Sequence, residues 1–523
     1  MAGRKILLIE PGYKNKYPPL GLMKIAQYHG AHGKNDEVRF IKGEDKSVLD
    51  KSWDRIYVTT LFSFEWKRIS EAIDFALKVS NNQPSKIFVG GIAASLMQES
   101  FVAETKWRGI RFIRGLLTQP PAMSLQLDSY SEELYSDDIT SGAIEDLVPD
   151  YGILDQIDYE YPVRDAYFTY ASRGCIRKCS FCGVPKLEGA QRDTESISAV
   201  VKGIERLYGP KKDLLLMDNN VVASANFKEI IAEIRDLGFQ KGATLQRGKN
   251  KVLRRVDFNQ GVDARILCKD PMYLRELSTI CIKPLRIAFD HIGVRKPYEQ
   301  AIRYAKEVDL TALSNYMLYN FKDDPADLYQ RMKLNIDLNV ELNIRIFSFP
   351  MRYQPVTLKD RSHIGDHWNK YYLRSMQLIL QATHGIVSGS PRYFATAFGE
   401  NEVEFEKLLS MPHHFIFNRM WYEKYDGRAE LDEFKAQFAK LTEADRAELV
   451  AFLSTTEKTE IKKNSKGLSS SALRSITEFY LPLSRVQERK IWDGQKKLAT
   501  TDVAGFNVPD DERVEDAGLE VAA

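Results

Sequence analysis

Short apolar runs alternate with helix-patterned stretches in two separate series along this chain, and that alternation limits its fold more than any other feature. The first series places strand patterns at Lys5–Ile9, Val38–Ile41, Ile56–Leu61 and Lys86–Val89. Between them, Leu20–Tyr28 and Glu65–Val79 have helical spacing, with Ile69, Ala72, Ile73, Ala76 and Leu77 on one face of the second. Such alternation requires a parallel sheet covered by helices on both faces, because parallel neighbours need long crossovers. Gly90-Gly91 ends the fourth strand with room for a tight turn.

The second series begins at Ala166. Its strand patterns are Tyr167–Ser172, Asp213–Met217, Val256–Asn259, Leu285–Phe289, Tyr316–Tyr319 and Asn343–Phe349, with helical stretches such as Ser196–Leu207, Phe227–Leu237 and Ala326–Asp337 between. Six strand–helix units in succession predict a partial (β/α)6 TIM-type barrel, whose functional groups belong at the carboxyl ends of the strands. After Pro350 the patterns at 366–382, 402–410 and 430–453 are helical, while Lys458–Ser471 reads as an exposed polar loop. The expected fold class is α/β: a Rossmann-like parallel-sheet domain over 1–117, a linker over 118–162, the barrel over 163–355, a helical domain over 356–499 and a disordered acidic tail over 500–523.

Composition narrows the function classes. The chain has 523 residues and a formal charge of +2, so no global basic field argues for a polyanion partner. No stretch approaches the length of a membrane span, which predicts no membrane partner. Ile6–Ile9 runs straight into Glu10-Pro11-Gly12, the pattern of a buried strand and not of a signal peptide. The five cysteines are Cys175, Cys179, Cys182, Cys268 and Cys281, too few for a disulfide scaffold. A reducing, cytoplasmic setting is expected.

Three of those cysteines follow the first strand of the second series, in Arg173-Gly174-Cys175-Ile176-Arg177-Lys178-Cys179-Ser180-Phe181-Cys182-Gly183. Thiolates are soft ligands for iron–sulfur clusters or zinc. Gly174 and Gly183 free the backbone to wrap a bulky centre, and Arg173, Arg177 and Lys178 favour thiolates and offset cluster charge. A zinc knuckle would take its fourth ligand from elsewhere, such as Cys268 or a histidine. A Cys-x2-Cys zinc site normally has a second such pair, and this chain has none. The spacing therefore favours a three-thiolate iron–sulfur site with one open iron.

Cys-x3-Cys-x-aromatic-Cys just after the first strand of a (β/α)6-type series resembles the signature of the radical S-adenosylmethionine (SAM) superfamily, over about residues 160–355. The N-terminal region resembles the cobalamin (B12)-binding-like domain that precedes many of these enzymes, through Glu10-Pro11-Gly12, Tyr17-Pro18-Pro19-Leu20-Gly21-Leu22 and Val89-Gly90-Gly91-Ile92-Ala93-Ala94. The resemblance implies that Cys175, Cys179 and Cys182 hold a [4Fe–4S] cluster whose fourth iron is chelated by SAM. Reductive cleavage of SAM would give a 5′-deoxyadenosyl radical that abstracts hydrogen from substrate, with the electron coming from an external flavodoxin- or ferredoxin-type donor. Phe181, the aromatic of the motif, would lie near adenine.

The other strand ends carry further candidates. The resemblance assigns Asp218, Asn219 and Asn220 to the SAM amino group, where the common pattern has Gly-Gly-Glu. Asn259 and Gln260 precede Gly261 at the third strand end, and Arg265 is the candidate for the methionine carboxylate. Asp290-His291 at the fourth strand end is the catalytic candidate, able to hold ribose hydroxyls or move a proton near neutral pH. Asn320 at the fifth is a candidate SAM contact. For several of these positions an ordinary turn, cap or structural Asp–Arg pair is the competing reading.

Cysteine count trims the reaction. Methylthiotransferases of this superfamily carry another three cysteines nearer the N-terminus, and none precedes Cys175 here, which argues against that activity. His29 and His32 lack the Asp-x-His-x2-Gly context of a lower cobalamin ligand, which weakens cobalamin without removing it. With cobalamin the expected reaction is methylation of an unactivated carbon; without it, rearrangement, oxidation or ring chemistry. The basic segment 241–255 could track phosphates but has no interleaved aromatic, so nucleic acid is not favoured. His363 and His367 would share a face if helical, yet no third metal ligand accompanies them. The rival to an enzyme is a non-catalytic iron–sulfur or zinc-binding regulatory module. The substrate is not legible.

Overall fold

The computed structural model describes residues 3–117, 143–194, 196–387 and 389–501. Most of the expected linker (118–142) and nearly all of the expected tail (502–523) lie outside these residues. The chain divides into two compact units. Unit one comprises 1–288, 297–313 and 354–363, and unit two 289–296, 314–353 and the residues from 364 onward. No helix among the described residues is long and apolar enough to cross a membrane.

Unit one contains the expected first sheet. Its strands are β1 (Lys5–Glu10), β2 (Glu37–Lys42), β3 (Arg55–Thr60), β4 (Ile87–Gly91) and β5 (Arg111–Phe112). They are parallel, in the order β2-β1-β3-β4-β5. Leu7 and Ile9 of β1 and Ile56 and Val58 of β3 pack with Ile69, Ala72, Ile73 and Ala76 of the helix α1 (Trp66–Val79) in one core. That is the face its periodicity marks, and burying it supplies most of the helix's stability. The sequence reading missed β5, because two residues carry no periodicity. It is held by register with Phe88 and Val89 of β4 and by Phe112 packing on Phe101 and Trp107. In this strand order the crossover direction reverses between β1 and β3, which opens a crevice at their carboxyl ends.

Unit one also holds a second parallel sheet: β6 (Ala166–Thr169), β7 (Asp213–Leu216) and β8 (Val256–Phe258), with β7 in the middle. Tyr167 and Val256 both pair with Leu214, so the three carboxyl ends lie along one edge. Parallel bridges from Val256 to Ile282 and from Val262 to Ile287 extend it toward Leu285–Arg286. Within this unit the second series thus forms a parallel sheet; the remaining strands, Ala312–Tyr319 and Arg345–Arg352, fall mainly in unit two. The basic segment 241–255 forms an antiparallel hairpin, Thr244–Arg247 against Asn250–Leu253, turned by Gly248 at φ +56°.

Unit two is mostly helical. The helix Pro325–Leu342 begins as its sequence predicts, with Pro at the first turn and the Asp324 carboxylate accepting from the Asp327 N–H. The 430–453 pattern is two helices, Arg428–Ala439 and Glu443–Thr455, separated by a Thr442/Asp445 capping box. Lys458–Ser471 is not an exposed loop. It forms short helical turns, because Ile461 and Leu468 anchor it by being buried.

Candidate functional site at the carboxyl ends of the central strands

The site is built on the turn that leaves β6. Ser172–Arg173 pairs antiparallel with Arg192–Asp193, making a neck that closes the segment between into one loop. Gly174 sits in that neck at φ +78°, where a Cβ would lie 2.2 Å from the Ala190 carbonyl oxygen. Only glycine fits there. The N–H of Cys175 donates to Gly189 O (3.4 Å) and that of Cys182 to Cys179 O (3.0 Å). Two sulfurs receive backbone donors: Arg177 N–H on Cys175 Sγ at 3.4 Å and Val184 N–H on Cys182 Sγ at 3.5 Å. Cys175, Cys179, Cys182 and Phe181 are all half-buried, and none of the five cysteines is bridged. Gly183 ends the motif against α2 (Ile92–Leu96) of the first sheet, with Leu96 Cδ1 2.8 Å from where a Cβ would stand.

Among the described residues no three His, Cys, Asp or Glu side chains are gathered as around a metal ion, so the thiols as placed do not converge. The donor set still fits an iron–sulfur cluster. Three soft thiols share one loop, glycines flank it, and N–H groups already face two of the sulfurs, an arrangement that stabilises cluster sulfur. The two other cysteines fit a ligand role less well. Burial pushes the Cys281 thiol up to about 11, and the Cys268 thiol donates to Arg265 O at 3.6 Å.

Charged groups brace the loop. The buried Arg173 guanidinium lies 3.9 Å over the Tyr170 ring, 3.5 Å from Glu188 and 3.6 Å from Glu145. Glu188 in turn accepts from the Gly174 N–H (2.8 Å) and from Asn219 Nδ2 (2.8 Å). Asn219 is therefore engaged with the neck of the loop. Asp218 is engaged likewise: it accepts from the Ala171 N–H and the Ser172 hydroxyl, at 3.0 and 2.7 Å, and from the Ser172 N–H. Burial pushes its carboxyl up to about 6 against these donors. Both residues hold the backbone of the site instead of facing a ligand in this structure.

Asn220 differs. Its Oδ1 accepts from the Asp263 N–H (3.2 Å), but its buried Nδ2 has no protein partner. Gln191, whose Nε2 donates to Asn220 O at 3.1 Å, likewise leaves its Oε1 buried and unpaired. A buried donor and a buried acceptor are thus left unsatisfied on two residues joined by one hydrogen bond, and such groups call for a partner. Asn259 Oδ1 accepts from the Tyr17 hydroxyl at 2.6 Å, whereas Gln260 is exposed. Arg265 Nε donates to Asp263 Oδ1 at 2.8 Å, and the other oxygen of Asp263 receives Arg177 Nε at 2.6 Å. Burial raises the Asp263 carboxyl, but the donors from Arg265 and Arg177 outweigh it and hold the group below its ordinary range.

Asp290, His291 and Asn320 belong to unit two. His291 is exposed and Asp290 half-buried, just ahead of the turn Ile292–Val294. Asn320 is fully buried at φ +67°, with Nδ2 donating to Tyr353 O (3.2 Å) and Oδ1 accepting from Gly365 N (2.8 Å). It clamps two backbone segments together. Residues 361–367 form no helix, so the shared face expected of His363 and His367 does not exist. In the 241–255 hairpin, Arg247 pairs with Asp165 at 2.7 Å, and Arg254 lies 3.6 Å over the Phe239 ring. Those cations serve the fold.

At the carboxyl ends of β1 and β2, the buried Glu10 accepts from Lys42 Nζ (2.8 Å), Asn15 Nδ2 (2.7 Å) and the Tyr161 hydroxyl. The Lys42 ammonium is surrounded by the rings of Tyr159, Tyr161 and Tyr13 at 4.5, 5.2 and 5.4 Å. Beyond β3 and β4, Phe62 and Ile92 are exposed. His29 cannot be a lower cobalamin ligand, because it is fully buried between Asp36 (2.8 Å) and the Tyr57 hydroxyl (2.7 Å). Sequence reasoning missed Tyr17, Gln191 and Glu188 as parts of the site, since each acts across a long loop or another domain.

No family model matches the chain. It is 28% identical, over 33% of its length, to a Methanocaldococcus jannaschii protein provisionally named a methylthiotransferase. It is 20% identical, over 60% of its length, to an uncharacterized methyltransferase of Synechocystis sp.. The chain spans 40% and 52% of the length of these curated relatives. Among solved structures, a radical S-adenosylmethionine methyltransferase, TsrM from Kitasatospora setae, with cobalamin and a [4Fe–4S] cluster bound, aligns over 68% of this chain and 74% of that one. Its identity is 15% and its TM-score 0.44. The match to a protein named for methylthiotransfer leaves the expectation against that reaction open.

Proposed function

We propose that the protein is a radical SAM enzyme in which Cys175, Cys179 and Cys182 hold a [4Fe–4S] cluster. The observation that carries this reading is the Cys-x3-Cys-x2-Cys loop necked at the carboxyl end of β6, with N–H donors on two of its sulfurs. When bound, the cluster and SAM supply reductive cleavage and hydrogen abstraction from the substrate. The chain's own residues hold the loop and its surroundings. Glu188 and Asn219 pin its neck, and Asp218 fixes the backbone that enters it. The unpaired Asn220 Nδ2 and Gln191 Oε1 offer a donor and an acceptor to a polar ligand such as the amino-acid end of SAM. An external flavodoxin- or ferredoxin-type protein delivers the electron.

The carboxyl ends of β1 and β3 are the proposed corrinoid site, where the exposed Phe62 follows β3 and the buried His29 offers no ligand. With a corrinoid there, the reaction is methylation of an unactivated carbon. Anaerobic reconstitution with iron and sulfide, followed by assay of iron, sulfide and corrinoid, tests both halves. Dithionite and SAM, with a cell-extract metabolite pool as substrate source, should then yield 5′-deoxyadenosine. Cys179→Ala should lose both cluster and cleavage. Stoichiometric zinc with no iron uptake would replace this reading by the binding-module alternative.

A further inference from the structure

Arg177 occupies two positions at once. Its backbone N–H points at Cys175 Sγ (3.4 Å), while its side-chain Nε donates to Asp263 Oδ2 (2.6 Å). Asp263 lies 86 residues away, in the turn between β8 and the helix Ala264–Leu267, and is itself held still. Its N–H donates to Asn220 Oδ1 (3.2 Å), its Oδ1 accepts from Arg265 N and Nε (2.9 and 2.8 Å), and it caps the helix Ala264–Leu267. A buried carboxylate bonded by two guanidinium groups is a rigid anchor. Through it, the turn after β8 holds Arg177, the middle one of the three residues between the first and second cysteines. Two arginines and one aspartate also leave one net positive charge beside the loop.

We infer that Asp263 is a positioning residue that, through Arg177, sets the reduction potential of a cluster held by Cys175, Cys179 and Cys182. The inference rests on the proposed cluster. Adding one electron makes a cluster more negative, and N–H donors on sulfur and nearby positive charge stabilise that state. Arg177 supplies both, and Asp263 keeps both in place.

The sign of the effect separates positioning from simple charge. Removing Asp263 deletes a negative charge, which by Coulomb's law alone makes reduction easier. Loss of the anchor releases the Arg177 N–H and guanidinium, which makes reduction harder. The test is a potentiometric titration, followed by electron paramagnetic resonance, of anaerobically reconstituted full-length protein. Wild type, Asp263→Ala, Arg177→Ala and the double variant are compared, with iron content measured for each. Expected are wild-type iron loading, midpoints more negative than wild type in both single variants, and a double variant no more negative than Arg177→Ala alone. Asp263→Glu should restore the midpoint. If Asp263→Ala loads iron poorly, the isosteric Asp263→Asn carries the same comparison.

A midpoint unchanged or more positive in an iron-replete Asp263 variant overturns the inference, as does strict additivity in the double variant. Failure of wild-type protein to take up iron would instead overturn the cluster itself, so the two failures are told apart by the wild-type sample.

Discussion

The hydroxyl of Tyr17 lies 2.6 Å from Oδ1 of Asn259, across 242 residues of sequence. Tyr17 belongs to the segment that leads from β1 into the helix Leu20–His29, and Asn259 follows β8 directly. The edge of Tyr17 also packs on Phe168 of β6, with ring centroids 6.1 Å apart. One side chain from the loop after β1 thus touches both the residue that follows β8 and β6, the strand that leads into the cysteine loop. Tyr17→Phe keeps the ring and removes the bond, so it should cost about 1 kcal/mol. A double-mutant cycle with Asn259→Ala in urea unfolding should show coupling of that order; additive losses would show that the contact is not made.

Gly174→Ala should impair cluster assembly. The position needs φ +78°, and its Cβ would meet Ala190 O at 2.2 Å. Backbone strain of this kind costs about 1–3 kcal/mol, with the clash in addition. Gly242→Ala is the control, since that residue has φ +77° but open space around it. Iron retained after reconstitution should fall in the first variant and stay near wild type in the second.

Asp218 makes stability depend on pH. Its folded-state carboxyl titrates at about 6 against 3.8 in a free chain, because burial outweighs its hydrogen-bond donors. The folded chain therefore binds this proton more tightly than the unfolded chain. Its stabilising contribution is complete below about pH 4 and is lost as pH rises through 6. Asp218→Asn cannot titrate. The melting-temperature difference between wild type and this variant should move in the variant's favour from pH 4 to pH 7. A flat difference would place the carboxyl near its ordinary value.

The Glu10–Lys42 pair is buried, with side chains 1% and 8% exposed. Glu10→Ala strands the ammonium among three tyrosine rings, and breaking such a pair costs about 3–5 kcal/mol. The double variant Glu10→Leu/Lys42→Met should lose less than Glu10→Ala, because no buried charge is left over. Chemical denaturation monitored by tyrosine and tryptophan fluorescence measures both.

Much of the architecture was legible because it is local. The β1–β4 strands and the helix Trp66–Val79 appear where apolar periodicity puts them, since each buries its own repeating face. Periodicity failed where the repeat was too short or too charged to register. The two residues of β5 are examples, as are the hairpin at Thr244–Leu253 and the turns that Ile461 and Leu468 pin down.

The candidate site divides the same way. Three thiols within eight residues, the glycines beside them and the placement after a strand are matters of covalent spacing, so the sequence alone determined where soft-metal chemistry belongs. Which polar groups would face a ligand was decided only by the tertiary structure. Asp218, Asn219 and Asn320 carry the residue types of ligand contacts, yet they hold backbone groups of the fold. Asn220 and Gln191 keep atoms unpaired at the strand ends, and Asp263 reaches Arg177 across 86 residues. A buried polar group takes whatever partner strand register and loop closure bring within about 3 Å. That choice is made between segments far apart in the chain, where neither composition nor spacing records it.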